Sequence, residues 1–309
     1  MKSVLQALAA VLACSMPLPA HAESADAERW RTAMQSARWT GPMLASNAET
    51  LPQGHFYTEP YFFDVISGGD HHPGSSGFYQ YGLLDSLTVG VQPNFATATN
   101  RLDRGMTIGD FKLLSQLRLT HFTPGHRIPT VAIVLNAALP TGKHDRLRAS
   151  QEGHGSGSFA PEAGINVQHY FLLEDDRLLR ARINVLKSFP QRANVDGRSA
   201  YGTAEGFRGH AKPGSRTTLI AAVEYSLTRE WVLAFDVIRE STRKTKVSGI
   251  DGNGLVRKTI SSSRSFGFAP AIEYNSSDRF GILFGVWISP KGHNAPASVT
   301  PAIALSRFW

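Results

Sequence analysis

Apolar and polar residues alternate along most of this chain, and the alternation predicts β-strands. In residues 109–120, apolar side chains such as Leu113 and Leu117 share one parity, whereas polar side chains such as Lys112 and Arg118 share the other. A repeat of two residues gives a strand one apolar and one polar face. At helical spacing the same polar residues would spread around the cylinder. The alternation recurs as far as the C-terminal residues.

We predict twelve strands. They span residues 54–65, 75–83, 87–98, 107–122, 128–140, 159–172, 178–190, 215–226, 231–241, 260–274, 279–289 and 299–309. The short connections are 84–86, 123–127, 173–177, 227–230 and 275–278, and the long ones are 66–74, 99–106, 141–158, 191–214, 242–259 and 290–298. Short turns that alternate with long loops are typical of an outer-membrane barrel. The predicted fold class is therefore all-β, a transmembrane antiparallel up-and-down β-barrel of about 12 strands that begins near residue 53.

The first 22 residues resemble a secretory signal peptide. Lys2 gives a positive start, residues 4–18 are mostly apolar, and residues 20–22 (AHA) form a small-x-small cleavage site. The single cysteine, Cys14, lies inside this segment, so we expect the exported chain to have neither disulfides nor thiol chemistry. The alternative, that Cys14 is a lipid-attachment site, is less well supported because the apolar run before it is short. Export together with the barrel prediction places the protein in the outer membrane of a Gram-negative cell.

Composition excludes a bundle of membrane-spanning helices. The mean hydropathy is −0.18, and only 42% of the residues are apolar. Beyond residue 22 we find no run of 18 apolar residues, which a membrane-spanning helix requires. Two classes then fit the strand pattern: a membrane barrel with its apolar face outward, and a soluble sandwich or lipocalin-like barrel with its apolar face inward.

Three features favour the apolar-outward barrel. Mixed charges occupy the polar face of many strands, and the chain ends Arg307-Phe308-Trp309 on an alternating strand. A terminal aromatic residue resembles the signal that the outer-membrane assembly machinery reads, so Phe308 and Trp309 are its expected contacts. Aromatic residues also cluster near strand ends, as in the girdles of membrane barrels. These are Tyr57, Phe62, Phe63, Phe95, Phe122, Tyr170, Phe189, Trp231, Phe280 and Trp287.

The polar parity supplies the candidate pore-lining residues. They are Asp110, Lys112, Gln116, Arg118, Glu162, Asn166, Gln168, Arg180, Arg182, Asn184, Glu224, Asp236 and Glu273. In a water-filled lumen these side chains would select solutes, whereas in a closed lumen they would form ion pairs that fill the barrel. Twelve strands lie between filled barrels of about eight strands and open porins of about sixteen. We expect a narrow lumen, and the sequence leaves open whether it is plugged.

Residues 23–52 have no strand pattern. They contain Trp30, Trp39 and a Gly41-Pro42 break. A periplasmic extension, a short helix and a plug in the lumen all fit this segment, and a flexible extension is the simplest interpretation.

Several short motifs, taken in chain order, resemble a bacterial outer-membrane transporter family labelled with the MetA pathway of phenol degradation. They lie at residues 51–61 (LPQGHFYTEPY), 81–87 (YGLLDSL), 109–113 (GDFKL), 138–143 (ALPTGK) and 155–158 (GSGS). Lys143 stands where that family commonly has an acid. The resemblance covers roughly residues 50–309. It implies an outer-membrane barrel that passes small, often aromatic, compounds, and it carries over no binding residues.

Two motifs could support chemistry of another kind. His154 and Ser156 have the spacing of the histidine and serine of outer-membrane phospholipase A, but glycines at 153, 155 and 157 would leave the pair poorly held. Adjacent His71 and His72 beside an acid could bind a transition metal, although solvated turn residues are the simpler interpretation.

Basic residues are frequent in two of the long loops. Residues 191–216 contain Arg192, Arg198, Arg208, Lys212 and Arg216, and residues 242–258 contain Arg243, Lys244, Lys246, Arg257 and Lys258. Together with a net charge of +7 they predict contact with phosphates of lipopolysaccharide, while simple solvated loops remain the alternative. Nucleic acid is not an expected partner of an exported chain.

The sequence as a whole predicts an outer-membrane channel for passive uptake of small solutes, without catalysis, cofactor or metal. The alternatives are a phospholipase-like barrel hydrolase that uses His154 and Ser156, and a sealed structural barrel.

Overall fold

The computed structural model describes residues 20–97, 106–148 and 152–309, with side chains from residue 26 onward. Within them one α-helix, α1 (Ala20–Gln35), precedes eighteen strands. The strands are β1 (Phe56–Ser67), β2 (Asp70–Leu84), β3 (Leu87–Gln92), β4 (Asn94–Thr97), β5 (Met106–Ile108), β6 (Phe111–Thr120), β7 (Thr130–Leu139), β8 (Ala160–Leu172), β9 (Leu178–Ser188), β10 (Ala193–Asp196), β11 (Arg208–Lys212), β12 (Arg216–Ser226), β13 (Trp231–Thr242), β14 (Thr245–Asp251), β15 (Gly254–Ile260), β16 (Ser263–Ser277), β17 (Phe280–Ser289) and β18 (Ser298–Phe308). No helix in the described ranges is long and apolar enough to span a bilayer.

Fourteen of these strands form one closed antiparallel sheet, in which every strand pairs with its neighbours in chain order. Pro93 separates β3 from β4, since proline has no N–H for the ladder, and Gly109-Asp110 separates β5 from β6. Each of these two pairs therefore makes one barrel strand. The first and last strands, β1 and β18, pair and close the barrel. The twelve-stranded up-and-down barrel predicted from the alternation is confirmed.

The two faces of the barrel wall have opposite character. On β13, Phe235 is 42% exposed while its neighbour Asp236 is fully buried, and on β9, Ile183 is 45% exposed while Arg182 is 3% exposed. Leu117 on β6 is likewise exposed. The apolar stripe faces outward, where lipid surrounds a membrane barrel, and the charged stripe is enclosed, as the sequence predicts.

Half of the predicted aromatic girdle is wrong. Phe62, Phe189 and Trp231 do project outward and are exposed. Tyr170 and Trp287 instead pack in the lumen, because each lies on the parity of its strand that faces inward. The same holds for Tyr57, which shares a face with the buried Glu59 and Tyr61. Phe122, in the turn after β6, is also buried, in contact with Trp30 and Tyr170.

Three of the predicted long loops contain regular structure. Residues 66–74 are not a loop: β1 and β2 continue to a tight turn at Gly68-Gly69, where φ is +61° and +90°. Residues 191–214 and 242–259 carry β10, β11, β14 and β15, which form a separate four-stranded antiparallel sheet, here called the cap sheet. These strands are only four to seven residues long, so their alternation is too brief to stand out in the sequence.

The cap sheet has its own apolar core at the long-loop end of the barrel. Val195, Tyr201, Phe207 and Val247 are buried together, and Phe207 is 1% exposed. The loop that leads from β7 to β8 attaches to it, since Arg146 Nη2 lies 2.8 Å from Asp196 Oδ2 and His144 Nε2 lies 2.9 Å from the carbonyl oxygen of Asn194. The cap sheet is therefore a packed unit, in contrast to the simple solvated loops that the sequence leaves open as the alternative.

The predicted signal peptide lies mostly outside the described residues and remains a prediction. The segment from 23 to 52, for which a flexible extension is the simplest expectation, is ordered. Its first part belongs to α1, in which Ala33, together with Ala37 just beyond the helix, packs against Leu178 at the short-turn end of the barrel. Arg29 Nη2 lies 2.8 Å from Asp176 Oδ1 in the turn between β8 and β9, and this carboxylate raises the pKa of Arg29.

Candidate functional site: the plugged lumen

The chain between α1 and β1 passes through the lumen. It enters at the short-turn end, where Arg38 N donates to Arg229 O at 3.0 Å and Arg38 Nε lies 2.8 Å from Asp278 Oδ1. It leaves at the same end, where Gln53 N donates to Asp85 Oδ1 at 2.9 Å. Residues 38–53 therefore form a loop inserted into the barrel, here called the plug.

Carboxylates of the barrel wall hold the first limb of the plug. Glu273 Oε2 accepts hydrogen bonds from Thr40 N and Thr40 Oγ1, both at 2.8 Å, and from Gly41 N at 3.2 Å. Asp236 Oδ1 accepts one from Ala45 N at 2.9 Å. An extended segment without secondary structure has free backbone N–H groups, and buried acids satisfy them here.

Basic and amide side chains satisfy the carbonyl groups of the same limb. Arg182 Nη1 donates to Ala45 O at 2.8 Å. Asn184 binds Ser46 twice, with its Oδ1 accepting from Ser46 N at 2.8 Å and its Nδ2 donating to Ser46 O at 3.1 Å. Gly41 has φ +141°, and a Cβ atom there would lie 3.2 Å from Arg182 Nη1, so glycine permits this close approach.

A fully buried ion cluster lies beside the plug. Arg180 and Arg182 both pair with Glu224, with Arg180 Nε at 2.7 Å and Arg182 Nε at 3.1 Å from Glu224 Oε2. The three side chains are at most 4% exposed. The guanidinium of Arg180 also lies 4.5 Å from the ring centre of Trp39, a cation–π contact with the plug. The cluster links the barrel wall to the point where the plug enters.

Glu49 anchors the second limb on the opposite wall. Its Oε2 lies 2.7 Å from Arg118 Nη1 and 3.1 Å from His121 Nδ1, and Gln116 Nε2 donates to its carbonyl oxygen at 2.9 Å. Asn166 Nδ2 in turn donates to Gln116 Oε1 at 2.8 Å. The plug thus places the carboxylate of Glu49 against cationic residues of one wall. Its backbone N–H groups bind carboxylates of the opposite wall.

At the apex of the plug, the apolar side chains of Met43 and Leu44 pack on an apolar belt of the lumen. Met43 contacts the cluster that contains Leu283 and Ala304, and Leu44 lies between that cluster and Ile220. Burial of a side chain of this size contributes about 1.5–3 kcal/mol. Hydrogen bonds and ion pairs nevertheless outnumber these apolar contacts along the plug.

The outer part of the lumen is lined by a second polar group. Lys112 Nζ lies 3.7 Å from Glu162 Oε1, to which Asn136 Nδ2 donates at 3.0 Å. Asp110 lies at the rim, where it accepts hydrogen bonds from Gly142 N at 3.0 Å and Ser156 N at 2.8 Å. Lys112 keeps 37% of its side-chain surface exposed, whereas the ions beside the plug have almost none.

All thirteen residues predicted to line the pore lie on inward strand faces or, for Asp110, at the rim. Those that form a hydrogen bond or ion pair with the plug include Gln116, Arg118, Asn166, Arg182, Asn184, Asp236 and Glu273. Gln168 bonds to Tyr170 instead, with Nε2 at 3.2 Å from the hydroxyl oxygen. Sequence reasoning did not include the buried Glu59 and Asn275, although both share the inward parity of their strands. Nothing in the pattern around Glu49 indicates its role.

The geometry does not favour the two alternative chemical sites. Ser156 Oγ donates to Asp110 Oδ2 at 2.6 Å, and within the described chain no hydrogen bond joins it to His154. Burial and the neighbouring His72 lower the pKa of His154. His71 Nδ1 lies 2.5 Å from Asp64 Oδ2 on an exposed hairpin, and no group of three metal-ligating side chains occurs among the described residues.

A closed antiparallel barrel with an apolar outer wall and an ionic lumen defines an outer-membrane β-barrel protein. The chain belongs to the family described as "Putative MetA-pathway of phenol degradation", whose model matches residues 42–294. That range includes most of the plug and all but the end of the barrel.

A solved structure shows the same fold. An outer membrane channel from Pseudomonas putida F1 superposes with a TM-score of 0.57 at 11% sequence identity, over 86% of this chain and 100% of that one. The NanC porin gives a TM-score of 0.46 at 10% identity, over 80% of this chain and 98% of the porin.

Curated relatives match less of the chain. A phosphate acyltransferase of Sinorhizobium medicae (strain WSM419) is 27% identical over 203 residues, which are 62% of this chain and 56% of that protein. The chain thus spans about half the length of the curated relatives it matches. The family assignment follows from the family model, which covers far more of the barrel.

Proposed function

We propose that the protein is an outer-membrane channel for passive passage of small solutes, and that the plug sets its conductance. The observation that carries this proposal is that the lumen binds the plug mainly by hydrogen bonds and ion pairs. At the level of Glu224, Asp236 and Glu273 the wall is fully buried, so solvent does not touch it there while the plug is in place. A shift of residues 38–53 would open this level to water.

Small solutes, including aromatic ones, are the proposed cargo. The family description names phenol degradation, and the superposed Pseudomonas protein is a channel. The inward faces of β1, β2 and β17 carry the aromatic side chains of Tyr61, Phe63, Phe78 and Trp287 beside the polar groups. A wall with both kinds of group suits a ring with a polar substituent better than a simple ion.

We further propose that the barrel catalyses no reaction. A serine nucleophile needs a base within hydrogen-bond reach, and Ser156 is bonded to Asp110 rather than to His154. The natural protein and a Ser156→Ala variant are both expected to hydrolyse lipid no faster than detergent alone. Hydrolysis by the natural protein that disappears in the Ser156→Ala variant would instead support the hydrolase.

Planar-bilayer recording tests the channel. We expect the purified protein to produce small discrete current steps, and liposomes that contain it to swell faster in phenol than in a disaccharide of equal osmolarity. Discrete steps without such selectivity would refute the proposed cargo but keep the channel. The absence of steps, both for the natural protein and for a variant that lacks the plug, would instead identify a sealed structural barrel.

Export by the N-terminal leader and recognition of the last strand by the assembly machinery remain proposals. They are supported by the position of Trp309, whose N–H donates to Phe56 O at 3.0 Å where the barrel closes. Trp309 is 51% exposed, so its ring is accessible to another protein. Deletion of Phe308 and Trp309 is expected to lower the amount of folded barrel in outer-membrane fractions, and unchanged amounts would contradict this role.

A further inference from the structure

A second cavity lies on the outside of the barrel, at the long-loop ends of β13, β16 and β17. It has a volume of about 330 Å³ and is lined by Arg239, Arg264, Ser265, Phe266, Pro290, Lys291 and Gly292. Three of these residues are cations and none is an acid. The cavity is therefore distinct from the plugged lumen in both its position and its charge.

The strand register places two of the cations on the lipid-facing side. Arg239 on β13 pairs with Phe266 on β16, and Ser241 pairs with Arg264, so the two arginines are diagonal neighbours on one face. Phe266 is 52% exposed on that face. Two residues further into the membrane along β13 lies Val237, the next residue on this face, and the other apolar residues of the outer wall follow it.

The cations of the cavity lack an acidic partner among the residues that the structure describes. Within the described ranges, no carboxylate forms an ion pair with Arg239, Arg264 or Lys291. Glu240 is adjacent in sequence, but it points to the opposite face of β13 and lies 3.6 Å from Arg216 Nη1. Three cations held close together repel one another, and an anion that binds among them removes this repulsion.

We infer that Arg239, Arg264 and Lys291 form a binding site for a phosphate group of lipid A, the phosphorylated glycolipid of the outer leaflet. The site lies where the apolar band ends and the long loops begin, which is the level of lipid headgroups. Arginine binds phosphate with two parallel hydrogen bonds, and Lys291 adds a point charge. Phe266 would contact the sugar or the first carbons of an acyl chain beneath the phosphate.

The geometry favours a lipid over a soluble anion. The cavity is lined by residues of the outer strand face, and its volume of about 330 Å³ corresponds to roughly eleven water molecules at about 30 Å³ each, more than a phosphate alone requires. An exposed phenylalanine in its lining offers nothing to inorganic phosphate, but it matches an amphipathic ligand.

The test compares two triple variants of equal charge. In one, Arg239, Arg264 and Lys291 are changed to Ser; in the matched control, the exposed cations Arg229, Arg279 and Arg307 at the short-turn end of the barrel are changed to Ser. Both are purified in detergent and titrated with bisphosphorylated lipid A, with dephosphorylated lipid A and with inorganic phosphate, and binding is measured by native mass spectrometry. Heat-modifiable electrophoretic mobility and bilayer conductance verify that each variant is folded.

We expect the site variant to bind bisphosphorylated lipid A at least about tenfold more weakly than the natural protein, since each charge-assisted hydrogen bond contributes about 1.5–3 kcal/mol. The control should lose less than about twofold, because its cations lie at the opposite end of the barrel from the leaflet that contains lipid A. Equal losses in both variants, or equal binding of dephosphorylated lipid A, would overturn the site. Inorganic phosphate that competes fully at millimolar concentration would show a free-anion site and would also overturn the lipid assignment.

If the site variant fails to fold, an Arg239→Lys, Arg264→Lys variant replaces it. This change keeps the charge and removes the planar fork, so a several-fold loss of lipid A binding with normal mobility supports the site. Unchanged binding would contradict it.

Discussion

The plug lies inside the lumen and the cap sheet lies at the long-loop end of the barrel, and the two are held in different ways. The plug has no secondary structure of its own, and its backbone is satisfied by Arg182, Asp236, Glu273 and other wall residues. The cap sheet has four paired strands around buried Phe207. The plug can move out of the lumen without the loss of internal structure, because its partners belong to the barrel wall. The cap sheet, in contrast, must expose its own core to unfold.

The energetics follow the same division. Buried ions give little net stability, because removal of their hydration offsets most of their attraction. Water that enters the lumen can replace the hydrogen bonds of the plug, and only Met43 and Leu44 bring sizeable apolar area at its apex. The apolar core of the cap sheet has no such substitute. We therefore expect plug variants to change conductance, and cap variants to change local stability.

The largest effect is expected from removal of the plug. A variant that lacks residues 23–50, with the leader kept for export, should show single-channel currents several-fold larger than those of the natural protein, because the level of Asp236 then fills with water. Planar-bilayer recording measures this, and heat-modifiable mobility confirms a folded barrel. A folded variant with unchanged current would show that the plug does not limit conductance.

The next effect concerns the ion cluster that borders the plug. Glu224→Ala leaves Arg180 and Arg182 buried without a carboxylate, which should cost about 3–5 kcal/mol in the free energy of unfolding. Urea titration in lipid vesicles measures it. Glu240→Ala is the matched control, since its partner Arg216 is exposed and such pairs contribute about 0–1 kcal/mol. Equal losses would mean that the cluster is hydrated.

In the cap sheet, Phe207→Ala should destabilise only the outer loops. Removal of a buried phenylalanine costs about 3–5 kcal/mol, and the barrel does not depend on this core. We expect faster proteolytic cleavage between residues 191 and 214, with urea unfolding of the barrel unchanged. Leu255→Ala, at a position that is 70% exposed, should alter neither. A barrel that unfolds earlier in the Phe207 variant would show that cap and barrel are one cooperative unit.

The smallest effect is a loss of cap stability at high pH. Tyr201 donates its hydroxyl hydrogen to Ser156 O, and burial raises the pKa of Tyr201 to about 12. The unfolded segment has a pKa of about 10, so it loses its proton first. The contribution is complete below pH of about 10 and disappears as the pH rises towards the folded value. Proteolysis across this range should accelerate in the natural protein and stay flat in Tyr201→Phe, whereas equal acceleration would assign the effect to another group.

The period of two predicted the barrel because successive residues of each strand face lipid and lumen in turn. Phe235 and Asp236 are neighbours in sequence and face lipid and lumen respectively, so alternation alone identifies both the strand and its inward side. The prediction of the aromatic girdle was wrong where the same parity was not applied. Tyr57 and Tyr170 were assigned by their nearness to strand ends, although their parity with Glu59 and Gln168 already indicated the lumen.

The plug could not be derived in this way. The barrel binds it mainly through the backbone of Gly41, Ala45 and Ser46, and backbone groups carry no sequence signal. The only indirect sign is an excess of lumen acids over their neighbouring bases near Glu273, which requires donors from elsewhere. The cap sheet escaped prediction because its strands are short and rich in lysine, arginine and glycine.

The central claim is that residues 38–53 occupy the lumen and limit passage through it. A variant with Ser46→Cys and Asn184→Cys tests this directly, since Ser46 N lies 2.8 Å from Asn184 Oδ1 and the sequence has no other cysteine beyond Cys14. We predict that the oxidised variant forms this crosslink and conducts at a constant low level, and that a reducing agent restores the openings of the natural protein. Failure to crosslink, or identical currents before and after reduction, would contradict the account.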